Sequence, residues 1–246
     1  MIFTDKNLRE KKFHNELQSK SKGRFENIFY KAIYNSDEDF FHFLKLNSMH
    51  SKILDYGCGA GHSLNKVLKF NPKKLIGIDI SDISIKKAKD NIDDLSKVEL
   101  LVDNCENTNF EDDSFDIVYG EGILHHLNIS VCLREIKRIL KSDGKFLFVE
   151  PLGTNPIINF YRKLTPKSRS IDEHPLKGDD FKLIENQFKN IKIKYYGLLT
   201  LVFFPLYSSP KKSIIFKILK NIDQFFFKFN IFKKLAWSVL ISAEKN

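Results

Sequence analysis

The chain has 246 residues, 42% of them hydrophobic and 29% charged, and its 40 Lys and Arg against 31 Asp and Glu give a net charge of +9. That apolar content supports one sizeable core rather than two full domains, and 23 Phe exclude intrinsic disorder. Cys58, Cys105 and Cys132 are too few and too widely spaced for a disulfide scaffold and read as reduced thiols of a cytoplasmic protein.

In chain order, the charged start has no apolar secretory segment, and no run reaches the roughly 18 apolar residues of a spanning helix. Phe25, Ile28, Phe29, Ala32 and Ile33 recur at helical spacing and predict a first helix. Asp37 is expected to cap a second, with Phe40, Phe41 and Leu44 on its inner face. From residue 52 short apolar runs alternate with helical patterns. Strands are expected at 52–56, 74–79, 98–103, 115–119 and 145–150, and helices at 61–70, 83–92 and 130–140. Ser81–Asp82 and Ser130 read as N-caps, and Asp143–Gly144 as a turn. Strands alternating with helices imply βαβ units and a mainly parallel sheet. After Glu150, four prolines (Pro151, Pro156, Pro166, Pro175) mark a long irregular segment, followed by a helix at 178–187 and strands at 192–199 and 236–243. The chain is expected to be a single domain over 1–246: a helical cap at 1–50, a cofactor-binding core at 51–150 and a substrate-side part at 151–246.

The sharpest signal is Asp55-Tyr56-Gly57-Cys58-Gly59-Ala60-Gly61, where an apolar strand ends in an acid and turns through three glycines into a helix. Glycines permit positive φ and close approach of a ligand, and the helix N-terminus beyond favours an anionic group. The spacing is G-x-G-x-G with His62 next, not the G-x-G-x-x-G of dinucleotide folds. Asp79, at the end of the second strand, is positioned to accept hydrogen bonds from ribose hydroxyls in either nucleotide class.

These residues, with Phe115-Asp116-Ile117-Val118, Leu124-His125-His126-Leu127 and the stretch from Arg134 to Gly144, resemble the class I S-adenosylmethionine-dependent methyltransferases, of the small-molecule, methyltransferase domain 11-like type, over about residues 51–151. The resemblance implies an α/β fold: a Rossmann-like, doubly wound seven-stranded sheet whose last strand, here 236–243, is antiparallel, with N-terminal helices and a loop and helix cap. It implies S-adenosylmethionine as cofactor. Gly57, Cys58 and Gly59 line its methionine part with Gly61 closing the loop, and Asp55 holds the ammonium. Asp79 takes the ribose, Ile80 packs on the adenine, Asn104 reaches the adenine amino group, and Cys105 offers its backbone N–H. Gly120 and Glu121 pass under the sulfonium. An NAD-dependent oxidoreductase is the alternative for the glycine loop, and a membrane-associated cofactor-binding protein without catalysis is the alternative for the whole chain.

For the acceptor, His125 and His126 fall where the family's cleft opens and are the candidate base or orienter for a hydroxyl or carboxylate, while Glu150 and His174 are candidate substrate contacts. The chain lacks the Asn/Asp-Pro-Pro-aromatic motif of base-methylating relatives after its fourth strand and has no appended RNA-binding module, so no nucleic-acid partner is expected. His and Cys show no zinc-type spacing, and no metal is expected. The expected reaction is O-methylation of a small molecule, glycan, or lipid-linked intermediate. Residues 210–235 hold seven Lys and one Asp, and as a helix over 211–229 they gather Ile215, Ile218, Leu219, Ile222, Phe225, Phe226 and Phe229 on one stripe. The stripe either packs on the sheet or makes a peripheral contact with the inner membrane surface.

Overall fold

In this computed structural model, residues 3–19 and 28–246 are described. The elements run α1 (Asp5–Ser19), a 3-10 turn (Ile28–Ile33), α2 (Tyr34–Asn47), β1 (Lys52–Tyr56), α3 (Leu64–Leu68), β2 (Lys74–Asp79), α4 (Asp82–Asn91), β3 (Val98–Val102), β4 (Phe115–Glu121), α5 (Ile129–Ile139), β5 (Leu140–Pro151), α6 (Pro156–Leu164), α7 (Gly178–Glu185), β6 (Phe188–Tyr196), α8 (Leu199–Val202), α9 (Ile214–Phe226), α10 (Asn230–Lys233) and β7 (Ser238–Lys245). The seven strands form one sheet in the order β3-β2-β1-β4-β5-β7-β6. β1 to β5 pair in parallel, and β7 runs antiparallel between β5 and β6. The doubly wound sheet with its antiparallel last strand is therefore present.

Strand side chains alternate between the two faces of the sheet. Ile53, Leu75, Ile117 and Leu147 pack with Phe40 and Leu44 of α2, Leu64 and Val67 of α3, and Ile85 and Ala88 of α4. Leu54, Ile76, Val118 and Phe148 pack on the other face with Leu133 and Ile136 of α5 and Ile184 of α7. Both clusters are fully or nearly fully buried, which at roughly 25 cal/mol per Å² of apolar surface makes them the main source of stability.

Several boundaries differ from the sequence reading. The expected helix around Phe29 is a 3-10 turn followed directly by α2, and Phe25 lies outside the described residues. Asp37 sits inside the first turn of α2, whose N-cap is Ile33. The cap of α5 is Asn128, whose side chain accepts from Val131 N–H, rather than Ser130. β6 begins earlier than expected, and Leu199 already starts α8. Helix α1 has no counterpart in the sequence reading.

Candidate active site

The sheet's strand order reverses between β1 and β4, and in open α/β sheets the crevice beyond the strand ends at such a point is where ligands bind. Here that crevice opens into a cavity of about 1170 Å³ lined by the loop after β1, the ends of β2 and β4, the turn after β4, and residues of α1 and α6. Its size exceeds the roughly 300–1,000 Å³ of ordinary small-molecule sites, leaving room for two ligands side by side.

The glycine loop forms the floor. Gly59 has φ +52°, and a Cβ built on it would meet no atom within 4 Å, so its open side faces the cavity. Gly57 is different: at φ +81° its Cβ would fall 2.6 Å from Ile123, so it holds the loop against the turn after β4. Asp79 ties the loop to α4. Its Oδ2 accepts from Gly59 N–H at 2.9 Å and its Oδ1 from Ser81 N–H at 2.8 Å, leaving lone pairs on both oxygens for a diol. Asp55 is buried beneath, and its Oδ2 accepts from Ser63 Oγ at 2.8 Å and Tyr119 Oη at 2.9 Å. Burial pushes its carboxyl up to about 7 despite those two bonds. Glu121 at the end of β4 is pushed up to about 8 by burial, then by the neighbouring Asp37 and Asp55 carboxylates. This end of the cavity thus gathers acids that an approaching cation would return to their ionised form.

Asn104 and Cys105 follow β3. Asn104 lines the cavity, its Nδ2 donating to Asn7 Oδ1 at 3.3 Å, whereas Asp103 turns away to bind Asn109. Cys105 is buried, and its carbonyl accepts a hydrogen bond from Tyr56 Oη.

At the other end, His125 and His126 are 4% and 3% exposed on a 3-10 turn that Glu150 organises. Glu150 Oε1 accepts from Ile123 and Leu124 N–H at 2.9 and 2.8 Å, and Oε2 pairs with His125 Nδ1 at 2.7 Å. His126 Nδ1 lies 3.1 Å from Glu10 Oε2 of α1, and its Nε2 is buried with no hydrogen-bond partner among the described residues. Burial, and secondarily His125, pulls the His126 pKa down to about 4, so the ring is neutral at pH 7.

A methyltransferase-domain family model matches residues 54–148. The chain is 31% identical over 180 residues to the uncharacterized protein MJ0638 of Methanocaldococcus jannaschii, covering 70% of this chain and 75% of that one. The chain belongs to the class I S-adenosylmethionine-dependent methyltransferases. It is also 34% identical over 104 residues to the uncharacterized methyltransferase YcgJ of Bacillus subtilis, covering 40% of each chain. The fold matches that of the geranyl diphosphate C-methyltransferase of Streptomyces coelicolor A3(2), with TM-score 0.65, 14% identity and full coverage of both chains. Against YcgJ and a second M. jannaschii protein, MJ1252, the chain spans 40% and 47% of the relative's length, less than half.

The cofactor of this family is S-adenosylmethionine, and the residues present fit it. The cavity has an open glycine floor, a diol-accepting carboxylate and an acidic end suited to an ammonium and a sulfonium. Of the residues assigned to the cofactor, Asp55, Gly57, Cys58, Gly59, Asp79, Ile80, Asn104, Cys105 and Glu121 line the cavity. Gly61 and Gly120 do not. Gly61 packs against Ala88 of α4, and Gly120 lies inside β4, where a Cβ would fall 2.6 Å from Phe148 and 2.8 Å from the Tyr56 carbonyl. Of the acceptor-side assignments, His125, His126 and Glu150 line the cavity. Glu150 is fully buried, and its carboxylate oxygens are hydrogen-bonded to the His125 turn. His174 is outside: its half-exposed ring lies 3.3 Å from Asp180, and only its backbone N–H reaches the site, donating to the His125 carbonyl.

Sequence reasoning missed Glu10 and His14 of α1, Asp37, Ser63, and Arg162, Lys167 and Arg169 beyond β5, all in the cavity wall. Glu10, His14 and His126 bring one nitrogen or carboxylate oxygen each within 4.8 Å of one another, as do His125, His126 and Glu173. In each group the third member comes from a distant part of the chain, His126 beside Glu10 and His14 and Glu173 beside His125 and His126, so local spacing did not anticipate them.

Proposed function

We propose that the chain transfers the methyl group of S-adenosylmethionine to an oxygen of a small molecule, a glycan or a lipid-linked intermediate. The single observation carrying this reading is the juxtaposition, in one cavity, of the Gly59–Asp79 floor with the His125–His126 turn. Asp79 would hold the ribose, Asn104 and Ile80 the adenine, and Asp55 and Glu121 the positive charges. When bound, the cofactor supplies a methyl group on a sulfonium that is already a good leaving group, so the protein's task is mainly alignment. Neutral His126 would take the acceptor hydroxyl's proton on Nε2 while Glu10 behind Nδ1 stabilises the resulting imidazolium. His125, held by Glu150, keeps the turn in place. Residues 1–50 and 151–246 would enclose the acceptor around the core at 51–150. The test is calorimetric titration of S-adenosylhomocysteine, with NAD as control, followed by an acceptor screen over hydroxylated amphiphiles. Binding of NAD without S-adenosylhomocysteine would refute the reading.

We also propose a peripheral contact with an anionic membrane through residues 210–235. No described helix is long and apolar enough to cross a membrane. In α9 the residues turned inward are Phe216 and Asp223, with Phe227 just beyond, while Ile214, Ile218 and Phe225 are 73%, 53% and 56% exposed. The stripe therefore faces away from the sheet; Lys211, Lys212, Lys217 and Lys228 are also exposed, Lys217 and Lys228 on the side of the helix opposite the stripe. Exposed Ile157, Phe160 and Leu164 of α6 and Val202, Phe203 and Leu206 add to the apolar surface. Co-sedimentation with phosphatidylglycerol vesicles is expected, and is expected to be lost in Ile218→Ser/Phe225→Ser. A chain that stays in the supernatant would contradict the contact.

A further inference from the structure

The cavity is electrically lopsided. Its cofactor end carries Asp37, Asp55, Asp79 and Glu121, whereas Arg162, Lys167 and Arg169 line the wall formed by α6 and the loop after it. The hydrogen bonds of Arg162 run through Nη1 alone, to the Leu152 carbonyl at 2.7 Å and Asn159 Oδ1 at 2.8 Å, and its Nε is buried with no acceptor. Arg169 donates Nη1 to Glu173 Oε1 at 3.3 Å and Nη2 to Thr165 Oγ1 at 3.5 Å, and its Nε is also buried with no acceptor. Glu173 offsets part of this positive charge, and burial together with repulsion from Arg169 lowers the Arg162 pKa to about 10. Two neighbouring, partly buried arginines whose shielded Nε–H groups have no acceptor among the described residues favour an anion at this wall, because unmade buried hydrogen bonds to charged groups are unfavourable.

The rest of this wall is apolar. Phe29 lies 5.4 Å from the Tyr161 ring and 4.8 Å from Phe204, and Ile157 and Ile158 border them in the cavity lining.

We infer that Arg162 and Arg169 form an oxyanion subsite, and that the acceptor is an apolar molecule bearing a carboxylate or a phosphate. The inference deepens the proposed function by naming the acceptor class, and it rests on that reading for the acceptor's role. The guanidinium fork takes either oxyanion in bidentate fashion, whereas a lysine at the same place would offer only a point charge. An acceptor held through its anion and resting on Phe29, Tyr161 and Phe204 lies within the same cavity as His126.

The test is calorimetry on the intact chain with octyl phosphate, octanoate and octanol below their micelle concentrations, each with and without S-adenosylhomocysteine. At least one anion is expected to bind tenfold or more tightly than octanol, and the larger gain identifies the headgroup. In Arg162→Gln/Arg169→Gln the preference is expected to vanish, while octanol and S-adenosylhomocysteine bind as before. Equal affinity for all three probes in the intact chain, or a preference that survives in the double variant, overturns the subsite. The intact-chain comparison decides the matter even when the double variant fails to fold. Failure of S-adenosylhomocysteine to bind the intact chain strikes the methyltransferase reading instead, and the titrations without it still test the subsite.

Discussion

Asp79 reaches back from the end of β2 to accept the Gly59 N–H at 2.9 Å, so the second strand fixes the shape of the loop that follows the first. The same carboxylate caps the entry to α4 through Ser81 N–H. Asp79→Ala removes both contacts and the proposed ribose acceptor together. S-adenosylhomocysteine affinity is expected to fall by about 1.5–3 kcal/mol, the range for hydrogen bonds to a charged group. Calorimetry reads this directly, and an unchanged dissociation constant would remove Asp79 from the site.

Gly59→Val separates folding from binding. Its Cβ would meet no protein atom, so the cost to the fold is the left-handed φ alone, about 1–2 kcal/mol. The added side chain enters the proposed cofactor space, and binding is expected to be lost while the far-ultraviolet circular dichroism spectrum is retained.

The pH dependence follows from Asp55 and Glu121, raised to about 7 and 8. Both carboxyls favour the neutral form in the folded chain more than in the unfolded one. Their contribution to stability is therefore complete below the usual carboxylate range and is lost as pH rises through 7 to 8. Thermal scans of the ligand-free chain are expected to show a declining midpoint from pH 5 to 8.5. Affinity for the cationic cofactor is expected to change in the opposite direction, rising over pH 6 to 9 as both groups ionise.

His126→Ala is expected to lower turnover by about 10²- to 10⁴-fold with cofactor affinity nearly unchanged, the range for loss of a general base. Full turnover in this variant would exclude His126 as the base.

Glu150→Gln acts through position. Any orientation of the amide presents a donor either to the backbone N–H groups of Ile123 and Leu124 or toward His125. A loss of about 1–3 kcal/mol in urea unfolding is expected, the cost of leaving a buried hydrogen-bonding group unsatisfied.

The sheet was legible because its strands alternate cleanly between two apolar faces, as Ile53 and Leu54 do on β1. The cofactor end was legible because a glycine loop and an acid two strand-lengths away follow a local rule. Helix α1 was not. It docks through Asn7 to Glu106 and Asn15 to Ser81 and Asp82, with Asn7 and Glu10 as its buried residues, so no apolar period marks it. The acceptor wall escaped for a related reason: Arg162 and Arg169 look like ordinary surface charges until α6 folds over the cavity. In α9 the periodicity was real but its direction was hidden. Asp223, the polar residue at the edge of the stripe, is buried and accepts the Leu198, Leu199 and Thr200 N–H groups at the start of α8.

The insertion of β7 between β5 and β6 also governs the order of events on the ribosome. Residue pairs such as Lys145 and Glu244 join across nearly a hundred positions. Until residues 238–245 emerge, β5 presents an open parallel-sheet edge, and β6 has no neighbour in the sheet. The nascent chain must therefore hold a half-built sheet for the whole synthesis of its acceptor-side elements, the interval in which chaperone capture or edge-to-edge aggregation competes most strongly with completion.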